Sequence, residues 1–351
     1  MSNWKGMGYL KVSKKKFGQT AILYSLTNDS GITMNVTDLG ARIVDLIVPV
    51  NGKERNIVLG FDTEQEYHTK DMYFGATIGR VAGRIRNGSF SIDDEKYQLP
   101  VSPENGHTLH GGEASFEAKI WDAKIEQSSD QVSVIFSYVS PDKENGFPGE
   151  LNARVSYSLT NKNEWTIDYQ AETDQATLYN PTNHVYFNLT GDVTQSVDAH
   201  ELVVEADRFA VVNEDTTVTG ELRSVSETPF DFRQSKTMKQ VFETNYEQNS
   251  LVNGLDHPFI LNHTGFVKPQ AIITAPDKEL SIEMYTDRPT VVIFTAQFEE
   301  GPEIRGKKLV HHGGITLETQ VSPGAVEFDG FGDIVLYPEM TYQSRTIYKI
   351  N

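Results

Sequence analysis

Short segments in which apolar and polar residues alternate run through most of this chain, and they constrain its fold more than any other feature. A period of two places successive side chains on opposite faces of a β-strand. The clearest segments are Ile43 to Val50, Ser89 to Tyr97, Gln131 to Val139, Leu151 to Leu159, Trp165 to Glu172 and Thr290 to Phe298. Tight turns are indicated by the pairs Asn51-Gly52, Asn87-Gly88 and Asp329-Gly330. The pattern predicts an all-β fold, built as a large antiparallel sandwich.

Helical pattern is scarce along the chain. Apolar residues recur at roughly helical spacing in Ser235 to Tyr246, which predicts one short surface helix. The basic run Lys14-Lys15-Lys16 predicts a solvated turn. Because no repeat, linker or abrupt change of composition marks a boundary, residues 1–351 are predicted to form a single domain.

The charge balance restricts the possible partners. The 351 residues carry a formal net charge of -18, which disfavours nucleic acid, an anionic membrane or a polyanionic substrate and suits a neutral small molecule. The absence of cysteine excludes disulfides, Cys-ligated zinc and thiol nucleophiles. Met1 to Leu10 lack the apolar core of a signal peptide, and no run of about 18 apolar residues occurs. We therefore expect a soluble, cytoplasmic protein.

One alternating segment, from Asn180 to Leu189, carries unusual polar groups. Period-two geometry puts His184, Tyr186 and Asn188 on one face, and the apolar residues between them on the other. An imidazole, a phenol and a carboxamide within two pleats are typical of a surface that binds a small molecule. A lone strand histidine is nevertheless most often a structural residue, so a chemical partner is needed.

A second alternating segment, Gly313 to Val321, supplies that partner. Thr316, Glu318 and Gln320 share one face of this segment. If the two polar faces meet across a cleft, Glu318 can remove a proton from one end of a substrate while His184 donates one to the other. The two residues would then form an acid–base pair.

Other polar motifs are less specific when each is taken alone. The segment Gly79 to Ile85 lacks the spacing and the βαβ context of a dinucleotide-binding loop, and it more simply presents an arginine. His110 precedes Gly111-Gly112, where the backbone can approach a ligand closely. The histidine pairs 107/110 and 311/312 have no evident third metal ligand at a familiar spacing. Asp256 can cap a turn or bind sugar hydroxyls.

Taken together, these motifs resemble the aldose 1-epimerase, or galactose mutarotase, family over nearly the whole chain. The matching segments, in order, are Gly79-Arg80-Val81-Ala82-Gly83-Arg84-Ile85, Leu109-His110-Gly111-Gly112, Asn183-His184-Val185-Tyr186-Phe187-Asn188-Leu189, Gly254-Leu255-Asp256-His257 and Leu317-Glu318-Thr319-Gln320. The resemblance implies the large β-supersandwich of that family, with few short helices. It also implies interconversion of the α and β anomers of free aldoses such as galactose or glucose, without a cofactor or metal.

The resemblance assigns roles to individual residues. Glu318 is the implied general base on the anomeric hydroxyl, and His184 is the implied general acid on the ring oxygen, with His110 close to that oxygen. Arg84 and Asp256 match positions that hold sugar hydroxyls, and we place Tyr186 beside them as a binding residue. With ordinary pKa values of about 4.3 and 6.5, the glutamate and the histidine predict a bell-shaped pH dependence.

Two positions depart from the family pattern, and several alternatives stay open. Gly83 stands where many members carry Asn, and Val292 stands where some carry a sugar-binding Gln, which could change the preferred sugar. The alternatives are a non-catalytic carbohydrate sensor, an epimerase acting on maltose or a sugar phosphate, and a glycoside hydrolase or lyase. Hydrolysis would need a second carboxylate, for which Asp256 is the obvious candidate. The oligomeric state is expected to be monomer or homodimer.

Overall fold

The computed structural model describes residues 10–351. Residues 1–9, which make up most of the stretch searched for a signal peptide, lie outside the described residues. Among the described helices, none is both long and apolar enough to cross a membrane.

The largest sheet is antiparallel throughout, and we call it the large sheet. Its strands, in spatial order, are Asp122–Gln127, Gln131–Ser140, Leu151–Thr160, Glu164–Thr173, Tyr342–Ile350, Ser281–Thr286, Ala271–Thr274, Glu201–Val204 and Lys236–Thr237. Buried and exposed residues alternate along the central strands, as the sequence pattern predicted. The C-terminal strand completes the centre of this sheet.

Two further antiparallel sheets accompany the large sheet. The site sheet, so called because it carries the pocket described below, consists in spatial order of Val218–Ser224, Ala206–Val212, Asp256–Leu261, Thr290–Phe294 and Glu318–Gln320. The N-terminal sheet consists of Lys11–Lys16, Ile22–Thr27, Thr33–Thr37, Arg42–Val50 and Lys53–Asn56. Asn51 and Gly52 form the tight turn between its last two strands, with φ of 49° and 75°.

Short strand pairs connect the sheets and bring distant motifs together. They are Arg84–Ile85 with Thr108–Leu109, Thr77–Ile78 with Thr182–Asn183, Tyr186–Phe187 with Ile315–Thr316, Thr177–Leu178 with Val335–Leu336, Glu303–Ile304 with Lys307–Lys308, and Ser89–Ile92 with Glu95–Gln98. The segment predicted as one strand from Ser89 to Tyr97 is thus a hairpin, which turns at Asp93 with φ of 52°.

Helix is a minor component of the described chain, as expected. The α-helices are Glu64–Lys70, Lys239–Phe242 and Glu247–Val252, and the 3₁₀ turns are Arg86–Gly88, Phe116–Ala118, Glu144–Gly146 and Val197–Ala199. The continuous helix predicted from Ser235 to Tyr246 is wrong, because its first residues pair with the edge of the large sheet and Tyr246 is extended. The solvated turn predicted at Lys14-Lys15-Lys16 is also wrong: these lysines are exposed, but they lie in an edge strand.

The hydrophobic core lies between the sheets and includes the apolar side of the 180–189 segment. Val185, Phe187 and Leu189 are fully buried there. The Phe187 ring lies 5.3 Å from Tyr348 and 6.5 Å from Trp165, both on strands of the large sheet. This packing fixes the apolar face of the segment against the core, so His184 and Tyr186 point the other way, towards the pocket.

Candidate active site

A short strand pair places the two predicted catalytic motifs side by side. Tyr186 lies opposite Thr316 in the ladder, and Phe187 lies opposite Ile315. His184 and Glu318 then follow on the same side of this ladder, with His184 Nε2 3.4 Å from Glu318 Oε1. The motifs were expected to face each other across a cleft, but they lie in neighbouring strands, and the two buried side chains are in direct contact.

A pocket of about 210 Å³ opens above this contact. All six residues singled out from the sequence line it: Arg84, His110, His184, Tyr186, Asp256 and Glu318. The segments that contribute them are separated by up to 234 residues in the chain, and the strand pairs described above bring them together. Both departures from the family pattern, Gly83 and Val292, also lie in the pocket wall.

His184 is held in place through its backbone. Its N–H donates to the carbonyl of Ala76 at 2.9 Å, and its carbonyl accepts from the N–H of Gly75 at 3.1 Å. Glu318 is held through its side chain, because Thr316 Oγ1 donates to Glu318 Oε1 at 2.9 Å. Thr316 in turn accepts from the N–H of Phe294 at 3.1 Å. The pair is therefore positioned before any substrate enters.

Burial perturbs both members of the pair in opposite directions. Removal from water raises the pKa of Glu318, an effect that the Thr316 hydrogen bond partly offsets, and it lowers the pKa of His184. The expectation of near-ordinary pKa values is therefore wrong. The attraction between the Glu318 carboxylate and protonated His184 partly offsets the effect of burial on the two pKa values. This ion pair and the pair of neutral side chains each hold one proton in total. The pair is best treated as a unit that carries one proton.

His110 lies on a tight bend after the strand pair that also carries Arg84. Its backbone N–H donates to the carbonyl of Gly83 at 3.0 Å, and the N–H of Gly83 donates to His110 Nδ1 at 3.2 Å. Nδ1 is thus an acceptor, which assigns the ring hydrogen to Nε2. Burial lowers the pKa of His110 well below its usual value, and the positive charges of the nearby His184 and Arg84 lower it further. His110 is therefore a neutral hydrogen-bond donor.

Arg84 and Asp256 form a loose charged pair at another part of the pocket wall. Arg84 Nη1 lies 3.9 Å from Asp256 Oδ2. Burial raises the pKa of Asp256, and the Arg84 guanidinium partly offsets that effect. At this separation the facing atoms are not directly hydrogen-bonded, so both can still take up hydroxyl groups.

The other two polar groups of the 180–189 segment differ in what they offer. The hydroxyl of Tyr186 donates to the carbonyl of Met72 at 3.1 Å, so its ring, rather than a free O–H, faces the pocket. Asn188 does not line the pocket. Its side-chain NH₂ group donates to the carbonyls of Gln195 and Gly313 at 2.8 and 2.9 Å. The prediction that Asn188 belongs to the binding surface is wrong, because this carboxamide holds loop backbone.

Several pocket residues were not identified as site residues from the sequence. They are Asp71, Met72, Tyr73, Leu109, Val212, Thr216, Val218, Pro258, Phe294, Phe298, Gln320 and Pro323. The Tyr73 ring packs against His110 and His184, with centroid distances of 4.8 and 5.7 Å. Gln320 had a visible signal, since it shares a strand face with Glu318, and Leu109 lies within a matching motif. Most of the others come from loops or from strands whose pairing the alternation does not reveal.

The remaining motifs have structural explanations. Arg80, in the same motif as Arg84, is buried and donates to four backbone carbonyls and two hydroxyls. The NH of His107 Nε2 faces Asp215 at 3.0 Å, because Nδ1 accepts from the N–H of Asn87. Across residues 10–351, no cluster of three or more His, Asp or Glu side chains could hold a metal ion.

The fold and the pocket define an all-β supersandwich with a buried histidine–glutamate pair in its pocket. Residues 23–349 match the family model described as aldose 1-epimerase. The chain is 38% identical over 333 residues to galactose mutarotase of Bos taurus, covering 93% of each chain, and 34% identical over 338 residues to aldose 1-epimerase of Escherichia coli (strain K12), covering 95% and 96%. The crystal structure of galactose 1-epimerase from Lactobacillus acidophilus NCFM superposes with a TM-score of 0.87 at 28% identity, covering 97% of this chain and 99% of the other.

These similarities extend over nearly the full length of each relative. This chain belongs to the aldose 1-epimerase family. The predicted fold class, the β-supersandwich of the galactose mutarotase type, is confirmed.

Proposed function

We propose that this protein is an aldose 1-epimerase that interconverts the α and β anomers of a free aldose by acid–base ring opening and reclosure. The observation that carries the proposal is the contact between His184 and Glu318 inside a pocket that also holds Arg84, His110 and Asp256. The two oxygens that must exchange protons in a hemiacetal are both bonded to C1. An acid and a base that reach both must therefore lie close together, as these two residues do.

The reaction moves one proton onto the enzyme and another onto the sugar. Glu318, as the carboxylate, takes the proton of the C1 hydroxyl, and a carbonyl forms at C1. The bond between C1 and the ring oxygen breaks, its electron pair goes to that oxygen, and protonated His184 supplies the proton. Rotation about the bond from C1 to C2 presents the opposite carbonyl face, and reclosure with the proton transfers reversed gives the other anomer.

The one-proton character of the pair suits this exchange. The free enzyme holds a single proton between Glu318 and His184, and the ion pair that starts the reaction needs no proton from solvent. Mutarotation already proceeds unaided in water, and each positioned acid or base typically contributes about 10²- to 10⁴-fold.

The remaining polar groups hold the sugar in our assignment. The Nε2–H of His110 donates to the region of the ring oxygen, and Arg84 and Asp256 bind hydroxyl groups farther along the ring. The ring of Tyr186 provides an apolar wall beneath the sugar. These assignments use the residues that line the pocket together with the family resemblance.

Galactose and glucose are the favoured substrates, and a sugar phosphate is disfavoured. The described pocket wall carries Arg84 but also the carboxyl groups of Asp71, Asp256 and Glu318. The Glu318–His184 pair carries no net charge, so Asp71 and Asp256 are the groups that would repel a phosphate in this partly desolvated site. Maltose stays an alternative, because its reducing ring could react in the same pocket.

Polarimetry tests the proposal directly. Freshly dissolved α-D-galactose, α-D-glucose and β-maltose are followed with wild-type protein, Glu318→Gln and the control Glu303→Gln, which alters an exposed hairpin residue. We expect faster approach to an unchanged equilibrium rotation, lost in Glu318→Gln and kept in the control. His184→Asn should also lose most activity. Saturable sugar binding without acceleration by wild-type protein would favour the carbohydrate sensor.

Some expectations about the whole protein accompany this function. We propose one domain over residues 1–351, a monomer or homodimer, and a cytoplasmic location. A chain without cysteine needs no oxidising compartment. Sedimentation velocity would determine the oligomeric state, and fractionation of the source cells would test the location.

A further inference from the structure

The pocket contains a buried carboxamide that no mechanism step uses. Gln320 is 0% exposed and lines the pocket. Neither its Nε2 nor its Oε1 finds a hydrogen-bond partner among residues 10–351. Because both atoms are without partners, the observation is the same whichever way the amide group is oriented.

Every other buried carboxamide among residues 10–351 has at least one hydrogen-bond partner, although Oδ1 of Asn183 and of Asn249 has none. Asn180 donates to the carbonyl of Val321 and accepts from its N–H, each at 2.9 Å. Gln270, also 0% exposed, donates to the carbonyl of Gly265 at 2.9 Å and accepts from the N–H of Thr286 at 2.8 Å. Burying a polar group without a partner is costly, so the unpaired state of Gln320 requires an explanation.

The position of Gln320 points to a ligand group. It lies two residues after Glu318 on the same strand, hence on the same face, with the two Cα atoms roughly 6.6 Å apart. Gln320 thus faces the same pocket as Glu318, one strand repeat farther along. Arg84 Nε, in the same pocket wall, is also buried and without a partner within the described chain.

Gly83 keeps the approach to this carboxamide open. A Cβ at this position would lie 3.9 Å from Gln320 Oε1 and only 2.8 Å from Pro323 Cγ. Its φ of 78° also favours glycine. Any larger side chain here would stand beside Gln320 and narrow the pocket, whereas glycine leaves room for a ligand oxygen.

We propose that Gln320 is a further specificity-determining residue, which binds a hydroxyl group of the aldose other than the one at C1. The carboxamide donates through Nε2 and accepts at Oε1, and a hydroxyl is complementary because it can do both. The inference rests on the proposed function, since it concerns the substrate of the same site. It predicts that Gln320 contributes to binding and not to proton transfer.

The test compares Gln320→Leu with Gln270→Leu, a matched change of a buried but bonded glutamine. With the preferred sugar, loss of one neutral hydrogen bond should raise KM about 3- to 10-fold in Gln320→Leu and leave kcat within about 2-fold. In the sugar-free protein, Gln320→Leu should keep or raise Tm, because it removes two unpaired polar atoms. Gln270→Leu should lower Tm and leave KM unchanged.

Monodeoxy sugars identify the hydroxyl. Galactose or glucose analogues lacking the hydroxyl at C2, C3, C4 or C6 are used with wild-type protein and Gln320→Leu. For one analogue, the KM of wild-type protein should rise by the same factor by which Gln320→Leu raises the KM for the complete sugar. With that analogue, wild-type protein and Gln320→Leu should have the same KM. An unchanged KM for every sugar, or a fall in Tm like that of Gln270→Leu, would overturn the role of Gln320. Wild-type protein that accelerates no sugar would overturn the proposed function as well.

Discussion

The substitution Thr316→Val tests how Glu318, the proposed general base, is held in position. Thr316 Oγ1 is fully buried, donates to Glu318 Oε1 at 2.9 Å and accepts from the N–H of Phe294 at 3.1 Å. Valine replaces the hydroxyl by a methyl group of similar size, so the change removes two hydrogen bonds while the side chain keeps nearly the same shape.

Two separate losses follow from this geometry. The N–H of Phe294 is left unpaired in the interior, which should lower the free energy of unfolding by about 1 to 3 kcal/mol. A hydrogen bond to a charged group is worth about 1.5 to 3 kcal/mol, so loss of the donor to Glu318 should reduce kcat/KM by roughly 10- to 150-fold. Loss of this donor should also raise the pKa of Glu318 further, because the bond favours the carboxylate.

Thr319→Val is the matched control. Thr319 lies on the same strand as Glu318 but on its other face, where its hydroxyl bonds to that of Thr346 at 2.6 Å. Both variants should be less stable in urea denaturation, but only Thr316→Val should lose activity in polarimetry and shift the basic limb of the pH profile upward. Equal kcat/KM and identical pH profiles for the two variants would refute the positioning role of Thr316.

Three further predictions concern charge, structure and the glycine in the pocket wall. Burial lowers the pKa of His184 to about 3 and raises that of Glu318 to about 8, so the pair holds one proton throughout the range between these values. The kcat/KM profile should therefore be flat from about pH 5 to 7, and a narrow bell limited by about 4.3 and 6.5 would contradict the one-proton pair. Arg80→Lys should lower the free energy of unfolding, measured by urea denaturation, by about 3 kcal/mol or more, because lysine cannot reproduce the hydrogen bonds of the guanidinium to the backbone. The kcat per folded molecule should be unchanged, and a reduced kcat in fully folded protein would show that Arg80 takes part in the chemistry. Gly83→Ala should lower the free energy of unfolding by about 1 to 3 kcal/mol, because alanine is strained at this positive φ and its Cβ would contact Pro323. Unchanged stability in the same urea assay would contradict this reasoning.

Much of the fold follows from local alternation. The strands Arg42–Val50, Gln131–Ser140, Leu151–Thr160 and Glu164–Thr173 match the predicted segments to within one residue at each end. Each of these strands packs one face against the core, so every second residue is buried and the sequence alternates between apolar and polar residues. The helix predicted for residues 235–246 is wrong because non-local pairing overrides the local pattern. Met238 and Val241 are buried at helical spacing, but the residues before them pair with a strand of the large sheet and form its edge.

The site is predictable where a motif fixes both the residue and its direction. His184 and Glu318 meet because the apolar face of each strand is anchored in the core, which turns their polar faces to the same pocket. Alternation alone cannot separate His184 from Asn188, since both occupy the polar face. The difference is non-local: carbonyls of Gln195 and Gly313 surround the Asn188 carboxamide, and they come from loops whose positions the strand pattern does not give.

The protonation state of the Glu318–His184 pair is the property that the sequence predicts least well. A glutamate and a histidine with their ordinary pKa values predict an ionised base and an acid that is mostly neutral at pH 7. Burial of the two contacting side chains raises the pKa of Glu318 and lowers that of His184, so that the pair holds one proton at pH 7. Because burial shifts the two pKa values in opposite directions, it widens the pH range in which the pair holds the one proton that ring opening needs. Packing around the pair therefore determines its protonation state as directly as the identity of its residues does.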